Sequence, residues 1–165
     1  MPAAEPSKVQ GLRIAIAGDH NGVALKARLV AVLTGQGHTF DDRGTHSTEV
    51  VDYPILCADV CRKVVSGRAD RGIVVGGSGQ GESIACNKLR GIRAGLCNSM
   101  FEVEISRSHN DSNVLVLAAK TVTNELAEDM ASAWLSIAFQ GGVHQRRLDQ
   151  IAALRRARRS PERRI

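Results

Sequence analysis

The stretch that decides the fold is Ile73-Val74-Val75-Gly76-Gly77-Ser78-Gly79-Gln80-Gly81-Glu82, an apolar run followed by a glycine-rich turn. A helical pattern follows it at 83–88. Glycines let successive N–H groups converge on an anion, and the N-terminus of the next helix adds a positive dipole. The stretch therefore predicts a pocket for a phosphate or an oxyanion. Glu82 adds a carboxylate beside that pocket, and a carboxylate in such a place can move protons.

Short apolar runs alternate with helical patterns along the rest of the chain. The spacing predicts strands at 12–17, 38–41, 72–75, 92–96 and 114–118, and helices at 25–35, 55–65, 82–89, 99–107, 123–138 and 144–157. No hairpin turns join the strands, which favours a parallel sheet with helices on both faces. We predict an α/β fold, a three-layer α/β/α sandwich with a five-stranded parallel, Rossmann-like sheet.

Composition and charge indicate one domain that does not bind nucleic acid. We expect a disordered leader at 1–11, a single domain at 12–155 and a basic disordered tail at 156–165. The last eleven residues hold six arginines and one glutamate, so their charge of +5 equals that of the whole chain. The folded body is then neutral, and aromatic residues make up only 3% of the chain. A basic face with aromatic stacking residues, as nucleic-acid binding requires, is not indicated.

The cysteines and the apolar segments indicate the cellular compartment in which the protein is expected. Cys57, Cys61, Cys86 and Cys97 lack the spacing of a zinc site and are expected to be buried or half-buried thiols. No secretory segment precedes Leu12, and no apolar run has the length of a membrane span. A reducing, cytoplasmic location without a membrane partner is therefore expected.

The polar motifs outside the glycine loop each have a structural explanation beside the functional one. Asp19-His20, which follows the first strand, is also what a helix cap with a surface histidine would look like. The turn formers Asn110 and Asp111 after His109 also suit a connection between helix and strand. Arg146-Arg147 is also compatible with a solvated helix face. Only the combination of these motifs favours a functional site over the structural explanations. Ligands gather at the carboxyl ends of parallel strands, where Asp19-His20, the glycine loop and Asn98 are all expected.

Taken together, an ordered set of motifs resembles the type B ribose-5-phosphate isomerases. The set runs through the domain as Gly18-Asp19-His20, Gly44-Thr45, Asp52-Tyr53-Pro54, 76–88, Gly91-Ile92-Arg93-Ala94, 106–111 and His144-Gln145-Arg146-Arg147. The resemblance implies an enzyme that interconverts phosphorylated aldoses and ketoses through an enediolate. It also implies that the enzyme needs no metal ion and no cofactor. Its active sites would lie between the subunits of a homodimer or a dimer of dimers.

The resemblance further implies which residue is the catalytic base. Part of the family has a cysteine base at the position of Gly76, whereas this chain resembles the branch in which the glutamate at Glu82 has that role. Cys86 is then not the base. A glutamate with an ordinary pKa of about 4.3 is a weak base, so we expect burial beside the loop to raise the pKa of Glu82.

Further roles follow from the same resemblance. Ser78 and the loop N–H groups are expected to hold the enediolate oxygen, because donors aimed at developing charge stabilise the transition state. His109 is expected to carry protons during ring opening, which suits a histidine near neutral pH. Asn110 would hydrogen-bond the enediolate, and His20 and Arg147 would contact phosphate. The full set of expected substrate-binding residues is Asp19, His20, Tyr53, Gly77, Gly79, Gly81, Asn110, Lys120 and Arg147.

Two positions depart from the family pattern, which commonly has arginine where this chain has Lys120 and Val143. Lysine keeps the charge without the bidentate fork, and valine keeps neither. Three consequences are open: the protein binds phosphate more weakly, Arg146 or Lys120 supplies the missing contact, or the site takes a substrate of another length. We predict interconversion of ribose 5-phosphate and ribulose 5-phosphate, a step of the pentose phosphate pathway. Two alternatives stay open: an isomerase of another phosphosugar, such as a tetrulose 4-phosphate or an allose or galactose 6-phosphate, and a non-catalytic phosphosugar-binding module.

Overall fold

The computed structural model describes residues 11–157. Of the predicted leader and tail, residues 1–10 and 158–165 therefore lie outside the described residues. Strands and helices alternate as β1 (Arg13–Gly18), α1 (Val23–Gly35), β2 (Thr39–Asp42), α2 (Tyr53–Val65), β3 (Arg71–Gly76), α3 (Gln80–Asn87), β4 (Ala94–Leu96), α4 (Met100–Ser108), β5 (Val114–Ala118), α5 (Asn124–Ser136) and α6 (Val143–Ala157).

The five strands form one sheet in the order β2-β1-β3-β5-β4. Every strand pairing is parallel. From β1 the chain moves outward to β2 and then crosses back to β3, so the strand order reverses between β1 and β3. The loops that follow these two strands lie side by side at the carboxyl edge, where such sheets bind ligands. The predicted α/β/α architecture is confirmed.

Alternating strand side chains divide the core between the two faces of the sheet. One face joins strand residues such as Ile73 and Leu117 to buried residues of α1, α4 and α5, among them Trp134. The other face joins Val74 and Val116 to the buried residues of α2 and α3. Both cores are mainly aliphatic, as the low aromatic content predicts.

Several element boundaries differ from the predicted ones by one or two residues, and two of these differences have a clear local reason. Helix α3 begins at Gln80, two residues earlier than predicted, because Gly79 takes the left-handed conformation (φ 72°) and forms the N-cap. Glu82 is consequently the third residue of the helix. Strand β4 begins at Ala94 rather than at Ile92, since the backbone N–H of Arg93 donates to the Asn113 side chain and lies outside the ladder.

Helix α6 projects from the sandwich over most of its length. Leu148 is buried, but Ile151 and Leu154 are 52% and 70% exposed. Over residues 11–157, no helix combines the length and apolar character that crossing a bilayer requires.

The two-sided core predicts where stability resides. Leu117 is fully buried in the central part of the sheet, whereas Val50 is 82% exposed. We expect Leu117→Ala to lower the free energy of unfolding by about 2–5 kcal/mol, because it removes buried methyl groups and leaves a cavity. Val50→Ala should change it by less than about 0.5 kcal/mol. Urea unfolding followed by circular dichroism measures both, and equal effects would contradict this assignment of the core.

Candidate active site

The glycine loop after β3 presents unpaired backbone donors. None of the N–H groups of Gly77, Ser78 and Gly79 donates to another group among residues 11–157. Ser78 is exposed, and its Oγ accepts a hydrogen bond of 3.3 Å from the backbone of Gln80. Gly79 has φ 72°, and a Cβ there would overlap the side chain of Leu96. The loop is therefore an array of free N–H groups held in a conformation that requires glycine.

Glu82 is a buried carboxylic acid directly beside this loop. The residue is only 4% exposed. A Cβ on Gly76 would overlap both the Oε1 atom and the carboxyl carbon of Glu82, so the carboxyl group lies against the bare Cα of Gly76. Burial raises the pKa of Glu82, and the nearby charge of Asp19 raises it further, while its own backbone N–H acts in the opposite direction. The expected rise in this pKa agrees with the geometry.

Asp19 and His20 follow β1 at the same edge of the sheet. Asp19 is 6% exposed, and its Oδ1 accepts a 2.8 Å hydrogen bond from the backbone N–H of Asn21. Helix α1 begins after Gly22 without a side-chain cap, so the alternative interpretation of Asp19 as a helix cap is wrong. His20 is half-buried, with Nδ1 3.4 Å from the backbone N of Val51 and Nε2 3.3 Å from Nδ2 of Asn21.

Other predicted residues border the glycine loop. The hydroxyl of Tyr53, at the start of α2, packs against Gly81 so closely that a Cβ at 81 would overlap it. The backbone N–H of Lys120 donates to the Gly77 carbonyl at 3.0 Å, and the Lys120 side chain is exposed. Asn21, which sequence analysis gave no role, contacts Asp19 and His20 and would lie 3.2 Å from a Cβ at Gly77. Its position directly after Asp19-His20 is the feature of the sequence that could have indicated a place in this group.

We call these residues the carboxyl-edge group: Asp19, His20, Tyr53, Gly77, Ser78, Gly79, Gly81, Glu82 and Lys120. The structure brings them together around the ends of β1, β3 and β5.

Three predicted residues, His109, Asn110 and Arg147, lie at the opposite edge of the sheet, and we call them the amino-edge group. Helix α4 starts beyond the end of β4 and runs back, so His109 and Asn110 precede β5. The backbone N–H of Gly72, at the start of β3, donates to the carbonyl of Asn113. The five residues of β5, at roughly 3.3 Å per residue, separate the two edges by about 16 Å.

The amino-edge group is built on a turn, as one of the two interpretations of these residues predicts. Asp111 has φ 44° and bridges two guanidinium groups, with contacts of 2.9 Å to Arg93 and 3.0 Å to Arg107. The imidazole of His109 stacks on that of His144, near the start of α6. Arg147 follows His144 by one helical turn on α6 and is exposed. One chain therefore does not bring its carboxyl-edge and amino-edge groups together.

The cysteines are not placed for chemistry on a substrate. All four are buried free thiols. The neighbouring thiols of Cys57 and Cys61, together with burial, raise the pKa of Cys86, and burial raises the pKa of Cys97 to about 11. Burial keeps all four thiols from a substrate, and the raised pKa disfavours the reactive thiolate of Cys86 and Cys97. Across the described residues, no group of three or more His, Cys, Asp or Glu side chains is arranged to hold a metal ion.

The raised pKa of Glu82 predicts a pH-dependent cost to stability. A carboxyl whose pKa is higher in the folded than in the unfolded chain binds more protons when folded, so stability falls as pH rises through that window. We expect Glu82→Gln to unfold at a higher urea concentration than the wild type at pH 7. The difference should shrink as the pH falls below the ordinary glutamate pKa of about 4.3, because both side chains are then uncharged in the folded and the unfolded chain. An unchanged or lower midpoint at pH 7 would contradict a destabilising carboxylate at this position.

Comparison with known proteins agrees with this geometry. Residues 14–151 match the sequence model of the Ribose/Galactose Isomerase family. Ribose-5-phosphate isomerase B of Escherichia coli K12 is 42% identical over 146 residues, which cover 88% of this chain and 98% of that protein.

Solved structures extend the similarity to the fold. The Clostridium thermocellum ribose-5-phosphate isomerase B has a TM-score of 0.87 at 42% identity, over 88% of this chain and 99% of that one. The Mycoplasma genitalium ribose-5-phosphate isomerase B, solved with bound ribulose-5-phosphate, has a TM-score of 0.83 at 33% identity, over 87% and 96%. The resemblance found in the motifs is thereby confirmed, and this chain belongs to the ribose/galactose isomerase family.

Proposed function

We propose that this protein interconverts ribose 5-phosphate and ribulose 5-phosphate, with Glu82 as the base. The observation that carries the proposal is the buried Glu82 carboxyl against Gly76, beside a loop of free N–H groups. The relatives support the substrate, since the E. coli protein is a ribose-5-phosphate isomerase B and the M. genitalium structure contains ribulose-5-phosphate. In this role the enzyme serves the pentose phosphate pathway.

The proposed chemistry is a proton transfer between neighbouring carbons. Glu82 removes the proton from carbon 2 of the open-chain aldose, and the electrons form an enediolate whose oxygen gains negative charge. Glu82 then returns the proton to carbon 1 while the hydroxyl proton of oxygen 2 passes to oxygen 1, which gives the ketose. A base is most effective with a pKa near the working pH, so the raised pKa of Glu82 favours this role.

The glycine loop is proposed to stabilise the negative charge that develops on the enediolate oxygen. The free N–H groups of Gly77, Ser78 and Gly79, with the Ser78 hydroxyl, are donors for the enediolate oxygen. Each donor aimed at developing charge is worth about 3 kcal/mol of barrier. A base and a donor array are sufficient for the transfer, so the proposed reaction uses no metal ion and no cofactor.

We propose a homodimer in which each active site combines the carboxyl-edge group of one subunit with the amino-edge group of its partner. The separation of Glu82 from His109 supports this arrangement, because ring opening and proton transfer act on the same sugar. An apolar groove of about 960 Å³ beside the edge strand β4 and α6 offers a surface for the second copy. Phe101, which lines this groove, is 71% exposed, and Leu154 on α6 is 70% exposed. A partner subunit would cover both apolar side chains.

The departures from the family pattern bear on phosphate contact. Val143 begins α6 one residue before His144, in the amino-edge region, and is 46% exposed. Lys120 belongs to the carboxyl-edge group, so it does not replace within one chain the charge that is missing at Val143. A panel of tetrose, pentose and hexose phosphates distinguishes ribose 5-phosphate from the alternative substrates by the highest kcat/KM.

We also propose a cytoplasmic location. Four free thiols without a disulfide are typical of a reducing compartment. Their burial leaves them no part in the proposed reaction.

The assignment of Glu82 predicts the result of proton NMR on ribose 5-phosphate in deuterated water. The wild type should form ribulose 5-phosphate and incorporate deuterium at carbon 2. In Glu82→Gln the rates of ketose formation and of deuterium incorporation should both fall by about 100-fold or more, because the amide cannot accept the proton. The matched control is Glu125→Gln, which makes the same change at an exposed helix position and should retain activity.

The outcomes separate the alternatives. A wild type that binds the sugar phosphate but neither converts it nor exchanges its proton would support the non-catalytic binding module. Full activity in Glu82→Gln would exclude this residue as the base.

A shared active site predicts complementation between two inactive variants. Glu82→Gln and His109→Asn should each be inactive alone. After unfolding and refolding as an equal mixture, half of the dimers are mixed, and each mixed dimer has one site with both native residues. We therefore expect about a quarter of wild-type activity from the symmetry of a two-fold dimer. No gain over the separate variants would place both residues in the site of one chain.

A further inference from the structure

The imidazole rings of His109 and His144 form a parallel stack. Their centroids lie 3.8 Å apart, and their planes differ by 15°. The rings belong to different elements, since His109 follows α4 and His144 lies in the first turn of α6. The contact therefore joins two segments that are 35 positions apart in the chain.

Contacts other than the ring stack hold the end of α4 against the chain that leads into α6. The N–H of Gln140 donates to the Ser108 carbonyl at 3.0 Å. The Arg107 guanidinium is buried, contacts the Trp134 ring at 5.8 Å and donates to the Ile137 carbonyl at 3.3 Å. These contacts fix the end of α4 against the segment 134–140, which leads into α6 and His144.

The stack is what orients the ring of His109. Among residues 11–157, neither ring nitrogen of His109 has a hydrogen-bond partner. The side chain is half-buried, and its backbone N–H donates to Ile105. Packing against the face of His144 therefore fixes the plane of the ring while leaving its nitrogen edge free.

His144 is suited to lie against a ring that gains and loses a proton. Burial lowers the pKa of His144, and the charges of His109 and Arg147, which face it from α4 and from α6, lower it further. Since an ordinary histidine pKa is about 6.5, this lowering favours the uncharged form of His144 at neutral pH. An uncharged aromatic face attracts a cation, whereas two imidazolium rings in contact would repel.

We propose that His144 is a positioning residue, whose ring holds the plane of His109 while His109 carries protons in sugar ring opening. Because Arg147 lies one turn further along α6, the stack also fixes His109 relative to the residue expected to hold the phosphate. The proposal rests on the proposed function. It assigns His144 no contact with the reacting atoms.

The test measures ring opening separately from isomerisation. In a Glu82→Gln background, carbon-2 proton transfer is blocked, and exchange between the α and β furanose anomers of ribose 5-phosphate reports ring opening alone by two-dimensional exchange NMR. His144→Phe keeps a flat aromatic face, and His144→Leu fills similar space without one. We expect the leucine variant to slow enzyme-dependent anomer exchange by about tenfold or more, since misplacing a catalytic group carries costs of this size. The phenylalanine variant should stay within about threefold of its Glu82→Gln parent.

Controls distinguish the stack from general damage. Gln150→Ala, an exposed change on the same helix, should leave anomer exchange unchanged. Thermal unfolding of each variant reports folding. In an otherwise native background, His144→Leu should lower kcat for ribose 5-phosphate with little change in KM, because the phosphate contacts remain.

Two results would overturn the proposal: anomer exchange in the leucine variant as fast as in its parent, or phenylalanine and leucine variants that are equally slow. A parent that accelerates no anomer exchange, although the wild type isomerises, would also overturn it by removing His109 from ring opening. A wild type that isomerises no sugar phosphate would instead contradict the proposed function itself.

Discussion

The contact between the Glu82 carboxyl and the bare Cα of Gly76 is the constraint on which the rest of the site depends. A carboxyl group can be buried at the end of the central strand only because residue 76 has no side chain. The left-handed Gly79 then starts α3 early enough to place Glu82 in its first turn. Burial destabilises the charged form, and this raises the pKa of Glu82 towards the range of a useful base. In this geometry a side chain at position 76 and the buried glutamate exclude each other.

A second constraint comes from the connectivity of a parallel sheet. Each helix must return the chain to the amino edge before the next strand starts, so residues after a strand and residues after a helix lie on opposite edges. Glu82 follows β3, and His109 follows α4. Both can act on one sugar only if a second copy supplies one of them. The proposed homodimer follows in this sense from the topology and from the proposed roles of Glu82 and His109, and the exposed apolar residues Phe101 and Leu154 are consistent with it.

The sequence was sufficient for the architecture because hydrophobic periodicity and glycine position report local structure. The alternating strand residues around Ile73 and Val74 predicted both faces of the sheet. The sequence pattern predicts the start of α3 two residues too late, because glycine at position 81 is unfavourable inside a helix. In the structure, the left-handed turn at Gly79 starts the helix at Gln80 despite that preference. The interpretation of Asp19 as a helix cap was wrong, since its carboxylate closes a turn on Asn21 instead. The histidine stack depends on packing between distant segments, and no local pattern contains that information.

The valine at 143 illustrates how substrate contact and chemistry are separated in this chain. Positions 143 and 147 lie on the same face of α6, one turn apart. An arginine at 143 would place a second guanidinium there, next to His144. Valine leaves Arg147 as the one cation of the pair, so the proposed site would attract a phosphate dianion less strongly than one with two guanidinium groups. In the proposed site, valine at position 143 therefore bears on substrate affinity, whereas Glu82 and His109, the residues proposed to transfer protons, are both present.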